Sequence, residues 1–533
     1  MPAIAHKNNK ELGTAPAQTG VMTLLSCLEN AELVKPLPVS PLSSLISNGG
    51  HTELPDYLTD VRMAENFITY TKDRLKYWHE SGQWIDYDET KWGVGTPGGA
   101  YKFIKEFLSP MFSVVIQMEH GPKKNELLKA LLARESMSGQ KNMLDAAAVQ
   151  PTACISTLKL DYDPWLINFN NVTINLKTGT PQVHRHDNYI TKIANIEYDP
   201  TAECPEFIKF ISQIMGDDKE LIAYMQRWVG YCMTGDVSEQ VFQVWYGTGA
   251  NGKSVLSSIL AALLGDYAKA AGGYLLLQKP SGAADLTTQA ELAKLRGVRL
   301  ACISEIDEGS RLAEAQLKNI TGGDTITCRT LYKEPFEYEP AFKIILLCNH
   351  KPQVRGTDNG IWRRIHIVPF AVTIPPEKQD PYLKDKLRAE RSGILNWAIT
   401  GCREWRKQGL KPPEAVLSAT ADYKTNEDMF TSWLNDCCHQ GAEYSSKAKD
   451  LLESFKTYSG WKNTNHKKFG TMMANQGFVK TTSNGVVWHG LEPLEPLTPN
   501  YEKSHGNINY GNFPKNVTNS SKGSKNTDYS DHL

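Results

Sequence analysis

An eight-residue segment, Gly247 to Ser254, reads Gly-Thr-Gly-Ala-Asn-Gly-Lys-Ser and matches the phosphate-loop pattern G-x-x-x-x-G-K-[ST]. In such a loop the glycines let backbone N–H groups curl around phosphate oxygens, and the following helix N-terminus adds positive potential. We expect Lys253 to neutralise the β- and γ-phosphates of ATP and Ser254 to hold Mg²⁺. The predicted nucleotide-binding residues are Gly247, Thr248, Gly249, Ala250, Asn251, Gly252, Lys253, Ser254 and Val255.

An acidic residue follows the next suitable apolar run of the sequence. Residues 300–303 read Leu-Ala-Cys-Ile, and Ser304 and Glu305 come directly after them. A carboxylate at the end of a strand near the phosphate loop can polarise the attacking water and help hold Mg²⁺. Glu305 is therefore the predicted catalytic carboxylate, with Asp307 and Glu308 as second choices. A solvated acidic turn is the alternative.

Two further polar groups follow in the sequence. Asn349 comes directly after the apolar run 342–348, and its amide can orient the attacking water without adding charge. Arg363 and Arg364 precede the apolar run that starts at Ile365. An arginine donated to a neighbouring subunit's nucleotide stabilises the charge of the transition state. An arginine pair by itself is more often a partner in surface salt bridges.

These groups can meet only if their strands end at one edge of a sheet. The runs before them are short enough for buried strands, and a helix-compatible segment, residues 255–264, follows the phosphate loop. The predicted strands are Val241–Tyr246, Leu300–Ile303, Phe342–Cys348 and Ile365–Val368. Residues 240–370 are therefore predicted to form an α/β domain.

The flanking segments predict smaller units. Thr59 is a good N-cap for a helix starting at Asp60, and the aromatic-rich stretch from Tyr77 to Trp92 fits two short strands joined by a turn. Asn170-Asn171 predicts the turn of a hairpin, with a second turn at 177–179. Helices are predicted at about 100–150, 206–234 and 380–440, and a helix-helix-hairpin unit at 446–490.

The composition of the chain argues against an overall basic charge for DNA binding, a zinc site and a membrane span. The 58 Lys and Arg are balanced by 59 Asp and Glu, so any DNA-binding surface must be a local concentration of charge. The ten cysteines include no C-x-x-C pair, which argues against a zinc site. The longest apolar runs are far shorter than a membrane span. We expect a cytoplasmic protein with no membrane partner.

The order of these motifs resembles that of the superfamily 3 helicases. The motifs are the phosphate loop, Ser304-Glu305, a T-G-G-D-x-I-x-x-R segment over residues 321–329, the strand-terminal Asn349, and Trp362-Arg363-Arg364. The most similar type is the C-terminal half of phage and plasmid primase-helicases and of the poxvirus primase-helicase. Residues 55–235 resemble the helical domain that precedes the ATPase in this family, and residues 446–490 resemble its small winged-helix domain.

The resemblance implies an AAA+-like ATPase core in a ring of six copies, encoded by a phage, prophage or plasmid of a bacterial host. The residues that would act on ATP are Lys253, Ser254, Glu305 and Asn349 of one subunit and Arg363 or Arg364 of its neighbour. The segment after Asp324 would form a hairpin in the central pore. Arg329 and Lys333, with Tyr332, would there contact the phosphates of single-stranded DNA. A plain surface hairpin is the alternative for this segment.

The resemblance also suggests a division into domains. These are a flexible leader (1–54), a helicase-associated domain (55–235), the ATPase core (236–375), a helical segment (376–445), a winged-helix-like domain (446–492) and a disordered tail (493–533). The winged-helix-like domain is locally basic, so it could contact duplex DNA, although lysine-rich faces are more often merely solvated. The leader is too short for a polymerising domain. We therefore expect no primer synthesis and regard a separate primase or polymerase as a candidate partner.

Two other functions fit part of the pattern. A P-loop ATPase could act as an origin or partner loading switch, in which hydrolysis controls assembly and not translocation. A small-molecule kinase would also use the phosphate loop, but the arginine pair and the length of the chain disfavour it.

Overall fold

The computed structural model describes residues 59–94, 98–278, 286–304, 310–329, 335–354, 359–461, 464–482 and 485–494. The predicted leader and almost all of the predicted tail lie outside these residues. Among the described residues, no helix is both long enough and apolar enough to cross a membrane.

The first part of the described chain packs four helices against a small sheet. Its elements are α1 (Asp60–Thr71), β1 (Leu75–Trp78), β2 (Gln83–Tyr87), β3 (Trp92–Val94), α2 (Gly99–Gln117), α3 (Pro122–Glu135), α4 (Met137–Ala148) and β4 (Cys154–Ile155). The sheet order is β3-β2-β1-β4. The predicted helix start is confirmed, because the Thr59 hydroxyl accepts a hydrogen bond from the Arg62 N–H. The two predicted strands are present and a third, β3, extends them.

A three-stranded antiparallel sheet and two helices precede the central sheet. They are β5 (Leu166–Asn168), β6 (Thr173–Asn175), β7 (Thr180–Gln182), α5 (Pro205–Ile214) and α6 (Lys219–Cys232). Both predicted turns are confirmed, and Gly179 in the second has a φ of +76°. Asp218 caps α6 by accepting hydrogen bonds from two backbone N–H groups at 3.0 Å. These elements share one hydrophobic core with the central sheet.

The central sheet is parallel throughout and has the order β14-β8-β13-β10-β9. The elements of this region are β8 (Phe242–Tyr246), α7 (Lys253–Leu264), β9 (Ala268–Ala271), α8 (Leu286–Lys294), β10 (Leu300–Ser304), α9 (Glu314–Gly322), β11 (Ile326–Cys328), β12 (Phe336–Tyr338), β13 (Lys343–Cys348), α10 (Asn359–Trp362) and β14 (Ile365–Pro369). Each of the four predicted strands is confirmed to within a residue at either end. β13 is buried at every position, which explains its unbroken apolar sequence.

The last part of the described chain consists of helices followed by a small antiparallel sheet of order β15-β17-β16. Its elements are α11 (Leu383–Ala389), α12 (Arg391–Gln408), α13 (Glu414–Cys437), β15 (Cys438–Lys447), α14 (Ala448–Ser459), α15 (His466–Asn475), β16 (Val479–Thr481) and β17 (Val487–Pro493). The predicted helix-helix-hairpin order is confirmed. The preceding helices end at Cys437, close to the predicted end at about 440. Strand β15, which pairs with β17, was not predicted.

Two buried cations join the base of the central sheet to the elements before it. The Arg299 guanidinium donates to the carbonyl oxygens of Met233 and Leu166. The Lys343 ammonium donates to three carbonyl oxygens, those of residues 234, 236 and 341. Burial lowers the pKa of Lys343 to about 7. Backbone acceptors thus replace carboxylates as partners for both cations.

Candidate nucleotide site

Three of the parallel strands end at the same level. Cys348, the last residue of β13, is paired with Tyr246, the last of β8, and Ser304 at the end of β10 is paired with Leu347. The chain therefore leaves the sheet at one edge as the phosphate loop and as Asn349, with Ser304 beside them. Ligands of open α/β sheets bind outside the carboxyl ends of the strands, so this edge is where a nucleotide is expected.

Left-handed backbone shapes the phosphate loop. Gly249, Ala250 and Gly252 have φ angles of +113°, +46° and +82°. A Cβ on Gly252 would lie 2.5 Å from Cγ2 of Ile214, so α5 packs directly against the loop. The Ala250 carbonyl accepts a hydrogen bond from the Ile374 N–H at 2.7 Å, which holds the loop at a second point. Neighbouring elements thus fix the curvature that phosphate binding requires.

Lys253 and Asn349, two residues predicted to act on the nucleotide, are in contact. The Lys253 ammonium donates to the Gly247 carbonyl at 2.5 Å and to Asn349 Oδ1 at 3.2 Å. Only 6% of Lys253 is exposed, and burial lowers its pKa. Thr248 and Ser254 are exposed beside it and Asn251 is buried. The site therefore presents a buried cation whose two acceptors are neutral oxygens.

The predicted catalytic carboxylate, Glu305, follows directly after the end of β10. Glu305, with Asp307 and Glu308, lies outside the described residues. Ser304, the residue before Glu305, is exposed at the end of β10. The roles of Glu305 in catalysis and in holding Mg²⁺ stay predictions.

Arg363 and Arg364 are not equivalent. Arg363 is exposed. Arg364 is 8% exposed, and its guanidinium donates to the Gln240 carbonyl at 3.3 Å and to the Thr321 hydroxyl at 3.1 Å. Burial also lowers the pKa of Arg364. Arg364 is thus bonded within its own chain, and Arg363 is the more accessible of the two. The contact of either arginine with a neighbour's nucleotide stays a prediction.

The predicted hairpin is present at its base. β11 and β12 pair antiparallel, with Ile326 opposite Tyr338 and Cys328 opposite Phe336. Arg329 is exposed directly after β11. Lys333 and Tyr332 lie outside the described residues, so their predicted contacts with DNA are untested.

Sequence reasoning missed an open cleft beside the phosphate loop. It has a volume of about 680 Å³ and lies between α5 and the segment after β14. Its lining includes Ile208, Ser212, Val372, Ile374 and Lys378. These residues come from segments more than 150 positions apart and carry no motif, so only the fold brings them together.

Comparisons with family models match two segments of the described chain. A family model described as "D5 N terminal like" matches residues 64–216, and a family of unknown function (DUF5906) matches residues 245–364. A candidate helicase of Acanthamoeba polyphaga mimivirus (L207/L206) is 30% identical over 327 residues, covering 58% of this chain and 34% of its own. A candidate primase of African swine fever virus (C962R) is 22% identical, covering 57% and 34%. The chain is thus similar to viral proteins named as helicases and primases.

The similarity to these relatives extends over only part of their length. It spans about a third of the length of these curated relatives, including a candidate helicase of Invertebrate iridescent virus 6 (184R), which is 28% identical over 52% of this chain and 32% of its own. The apo structure of the NrS-1 C-terminal region (305–718) covers 81% of this chain at 11% identity, with a TM-score of 0.40. That TM-score is too low to establish a common fold. The second family model contains every residue of the candidate site from Gly247 to Arg364.

Proposed function

We propose that this protein is a superfamily 3 helicase motor, which hydrolyses ATP at the subunit interfaces of a six-membered ring and uses the energy to translocate on single-stranded DNA. The observation that carries the proposal is the contact between the Lys253 ammonium and the Asn349 amide at the edge of a parallel sheet. A group that would bind phosphate and a group that could orient water are thus in direct contact. Their separation suits a γ-phosphate that would replace the carbonyl and amide as the partner of Lys253.

The positions of these residues suggest how ATP would be oriented. Lys253 reaches towards Asn349, on the β13 side of the phosphate loop, so the γ-phosphate belongs on that side. The 680 Å³ cleft lies on the opposite, β14 side, where Ile374 contacts Ala250. We therefore assign the adenosine of ATP to this cleft, because its position and its volume would suit it. Its aliphatic side chains, including Val372, would pack against the base.

The same site would hold Mg²⁺ in this proposal. The Ser254 hydroxyl is exposed at the start of α7 beside Lys253, and a serine oxygen with a carboxylate suits this oxygen-seeking ion. Ser254 and Glu305 are the proposed metal-holding residues. When bound, Mg²⁺ would neutralise phosphate charge. Glu305 would accept the proton of the attacking water, and Asn349 would orient that water.

The exposed Arg363 is the proposed contribution of the neighbouring subunit. An arginine that reaches the transferring phosphoryl group from outside accelerates such reactions by about 10³- to 10⁵-fold. The hairpin of β11 and β12 would line the pore, with Arg329 and Lys333 contacting DNA phosphates. Such contacts need charge and read no sequence, so they suit a motor that must pass every base.

The C-terminal unit is proposed to be a winged helix that contacts duplex DNA. The end of α13 is followed by β15, α14, α15 and the β16–β17 hairpin, which is the order of helices and strands that such a domain requires. Lys467 and Lys468 are exposed on α15, and Lys480 is exposed on β16. A helix and an adjacent strand would thus present charge to the same phosphate backbone.

Displacement of a strand from a forked duplex tests the proposal against the loading-switch alternative. Replacing Arg329 and Lys333 with alanine should abolish strand displacement and leave basal ATP hydrolysis unchanged. A matched control is Lys407→Ala, which removes an exposed lysine on α12, far in sequence from the hairpin. Full strand displacement by the double variant would contradict a pore role, and hydrolysis without any displacement by the wild type would favour the switch.

A further inference from the structure

Helix α13 contacts the loop that follows the candidate water-orienting residue. Lys351 lies two residues beyond Asn349, and its ammonium is 4.9 Å from the ring centre of Tyr246 and 5.1 Å from that of Tyr423. Tyr246 ends β8 directly before the phosphate loop, and Tyr423 belongs to α13. A cation within about 6 Å of an aromatic face is attracted to it. Lys351 therefore fixes its loop both to the phosphate-loop strand and to α13.

The same aromatic ring contacts the segment that carries Arg363. The ring centres of Tyr423 and Trp362 are 5.3 Å apart with an interplanar angle of 77°, an edge-to-face arrangement. The next residue, Lys424, donates to Asn359 Oδ1 at 3.1 Å. Both ends of the one-turn helix α10 are thus held by α13, and Arg363 follows α10 directly. The position of Arg363 therefore depends on α13.

Two details show that the ring of Tyr423, and not its hydroxyl, makes this connection. Tyr423 is 2% exposed, and within the described residues its hydroxyl has no hydrogen-bond partner. About one helical turn further along α13, Glu427 accepts a hydrogen bond from the Val354 N–H at 3.4 Å. The loop after β13 is thus attached to α13 at two points. Movement of the loop would be transmitted to the helix.

We propose that Tyr423 and Lys351 are positioning residues that couple the state of one nucleotide site to the placement of Arg363 in the next. This rests on the proposed function, in which Asn349 acts within its own subunit and Arg363 acts on the neighbour's nucleotide. A γ-phosphate that displaces Asn349 from Lys253 shifts the loop carrying Lys351. The Tyr423 ring passes that shift to Trp362, and α10 then moves Arg363.

Mixed rings test this coupling. Wild-type subunits are mixed with Lys253→Ala subunits, and ATP hydrolysis is measured with single-stranded DNA against the fraction of inactive subunits. In a coupled ring the ATPase activity falls more steeply than in proportion to the fraction of inactive subunits. With Tyr423→Leu as the active subunit, we expect the activity to fall in simple proportion to that fraction. We also expect a kcat about tenfold lower than that of the wild type, which corresponds to about 1.4 kcal/mol of activation free energy. The KM for ATP should stay within about twofold, because the phosphate loop is unchanged.

Conservative and distant variants separate positioning from loss of stability. Tyr423→Phe keeps the ring and should retain the steep wild-type curve. Phe430→Leu removes a buried ring from the same helix where it packs in the C-terminal unit, and should also retain it. If Tyr423→Leu does not fold, Lys351→Met decides, with Lys351→Arg as the variant that keeps the cation.

Each outcome has a distinct meaning. Steep curves for both Tyr423→Leu and Lys351→Met would overturn the inference and leave the proposed function intact. A proportional curve for the wild type would overturn it as well. Absence of ATP hydrolysis by the wild type would instead contradict the proposed function on which the inference rests.

Discussion

Replacement of Lys253 by methionine separates the binding role of this residue from its part in stability. Lys253 as a whole is 6% exposed, and the acceptors of its ammonium are the neutral oxygens of Gly247 and Asn349. Methionine has a similar length and no charge. It should therefore fill the space left by the lysine side chain and leave the two oxygens beside the open loop.

The opposing contributions to stability are of similar size. A hydrogen bond to a charged group contributes about 1.5–3 kcal/mol, and burying an ammonium without a carboxylate costs several kcal/mol. The free energy of unfolding of the nucleotide-free Lys253→Met variant should therefore lie within about 1 kcal/mol of the wild-type value. Binding gives a larger signal, since a ligand at 100 times its Kd stabilises the folded state by about 2.7 kcal/mol.

Thermal unfolding with and without a slowly hydrolysed ATP analogue and Mg²⁺ measures both effects. The wild type should gain about 5–10 °C in Tm, for a cooperative unit of about 150–250 residues. The Lys253→Met variant should have a similar Tm without nucleotide and gain none with it. An equal gain in both proteins would refute the assignment of Lys253 to phosphate. A large loss of stability without nucleotide would refute the estimate that the two contributions cancel.

Three further predictions concern residues around the site and at the base of the central sheet. Arg364→Met should lower the free energy of unfolding by about 1–3 kcal/mol, because buried acceptors lose their donor. Arg363→Ala should change the free energy of unfolding by less than about 0.5 kcal/mol. It should instead lower the kcat for ATP hydrolysis by about 1000-fold. Urea unfolding and steady-state hydrolysis check this pair, and equal effects of the two variants would contradict the distinction between them. Gly252→Ala should destabilise the protein by about 2–4 kcal/mol in urea unfolding, since φ is +82° and the new Cβ would lie 2.5 Å from Ile214. An unchanged urea midpoint would contradict this and would mean that α5 moves to accommodate the new methyl group. The pKa of Lys343 is about 7 in the folded protein and 10.5 ordinarily. Between pH 7 and pH 10.5 the unfolded state therefore binds one more proton than the folded state, so the free energy of unfolding should rise with pH in this range. Lys343→Met should remove that rise in urea unfolding at pH 7 and pH 9, and an identical pH dependence in both proteins would count against it.

The fold of the central region could be predicted because its signals are local. A glycine-rich turn between an apolar run and a helix places β8 and α7, and the apolar runs before Ser304 and Asn349 place β10 and β13. Strand ends then define the edge at which their last residues meet. The contact between Lys253 and Asn349 follows from that geometry and needs no contact information from the sequence.

The different fates of Arg363 and Arg364 could not be predicted, because they depend on what packs against each side chain. Arg364 is buried by Gln240 and Thr321, which lie 124 and 43 positions away in the chain. Neighbouring residues with the same chemistry carry no local signal of such a difference.

Strand β15 could not be predicted for a similar reason. Residues 438–447 form β15 because β17 offers a partner about fifty positions later. Strand pairing of this kind overrides local helix preference. The role of Tyr423 is non-local in the same sense, since Lys351 and Trp362 reach its ring from different segments.

In the proposed function, ATP hydrolysis by this protein is coupled to movement on DNA. The most direct measurement is the steady-state rate of ATP hydrolysis by the purified protein with and without single-stranded DNA, beside the Lys253→Ala variant. We predict strong stimulation by DNA in the wild type and no hydrolysis by the variant. Hydrolysis that is indifferent to DNA would contradict the motor, and hydrolysis that survives Lys253→Ala would contradict the assignment of the site itself.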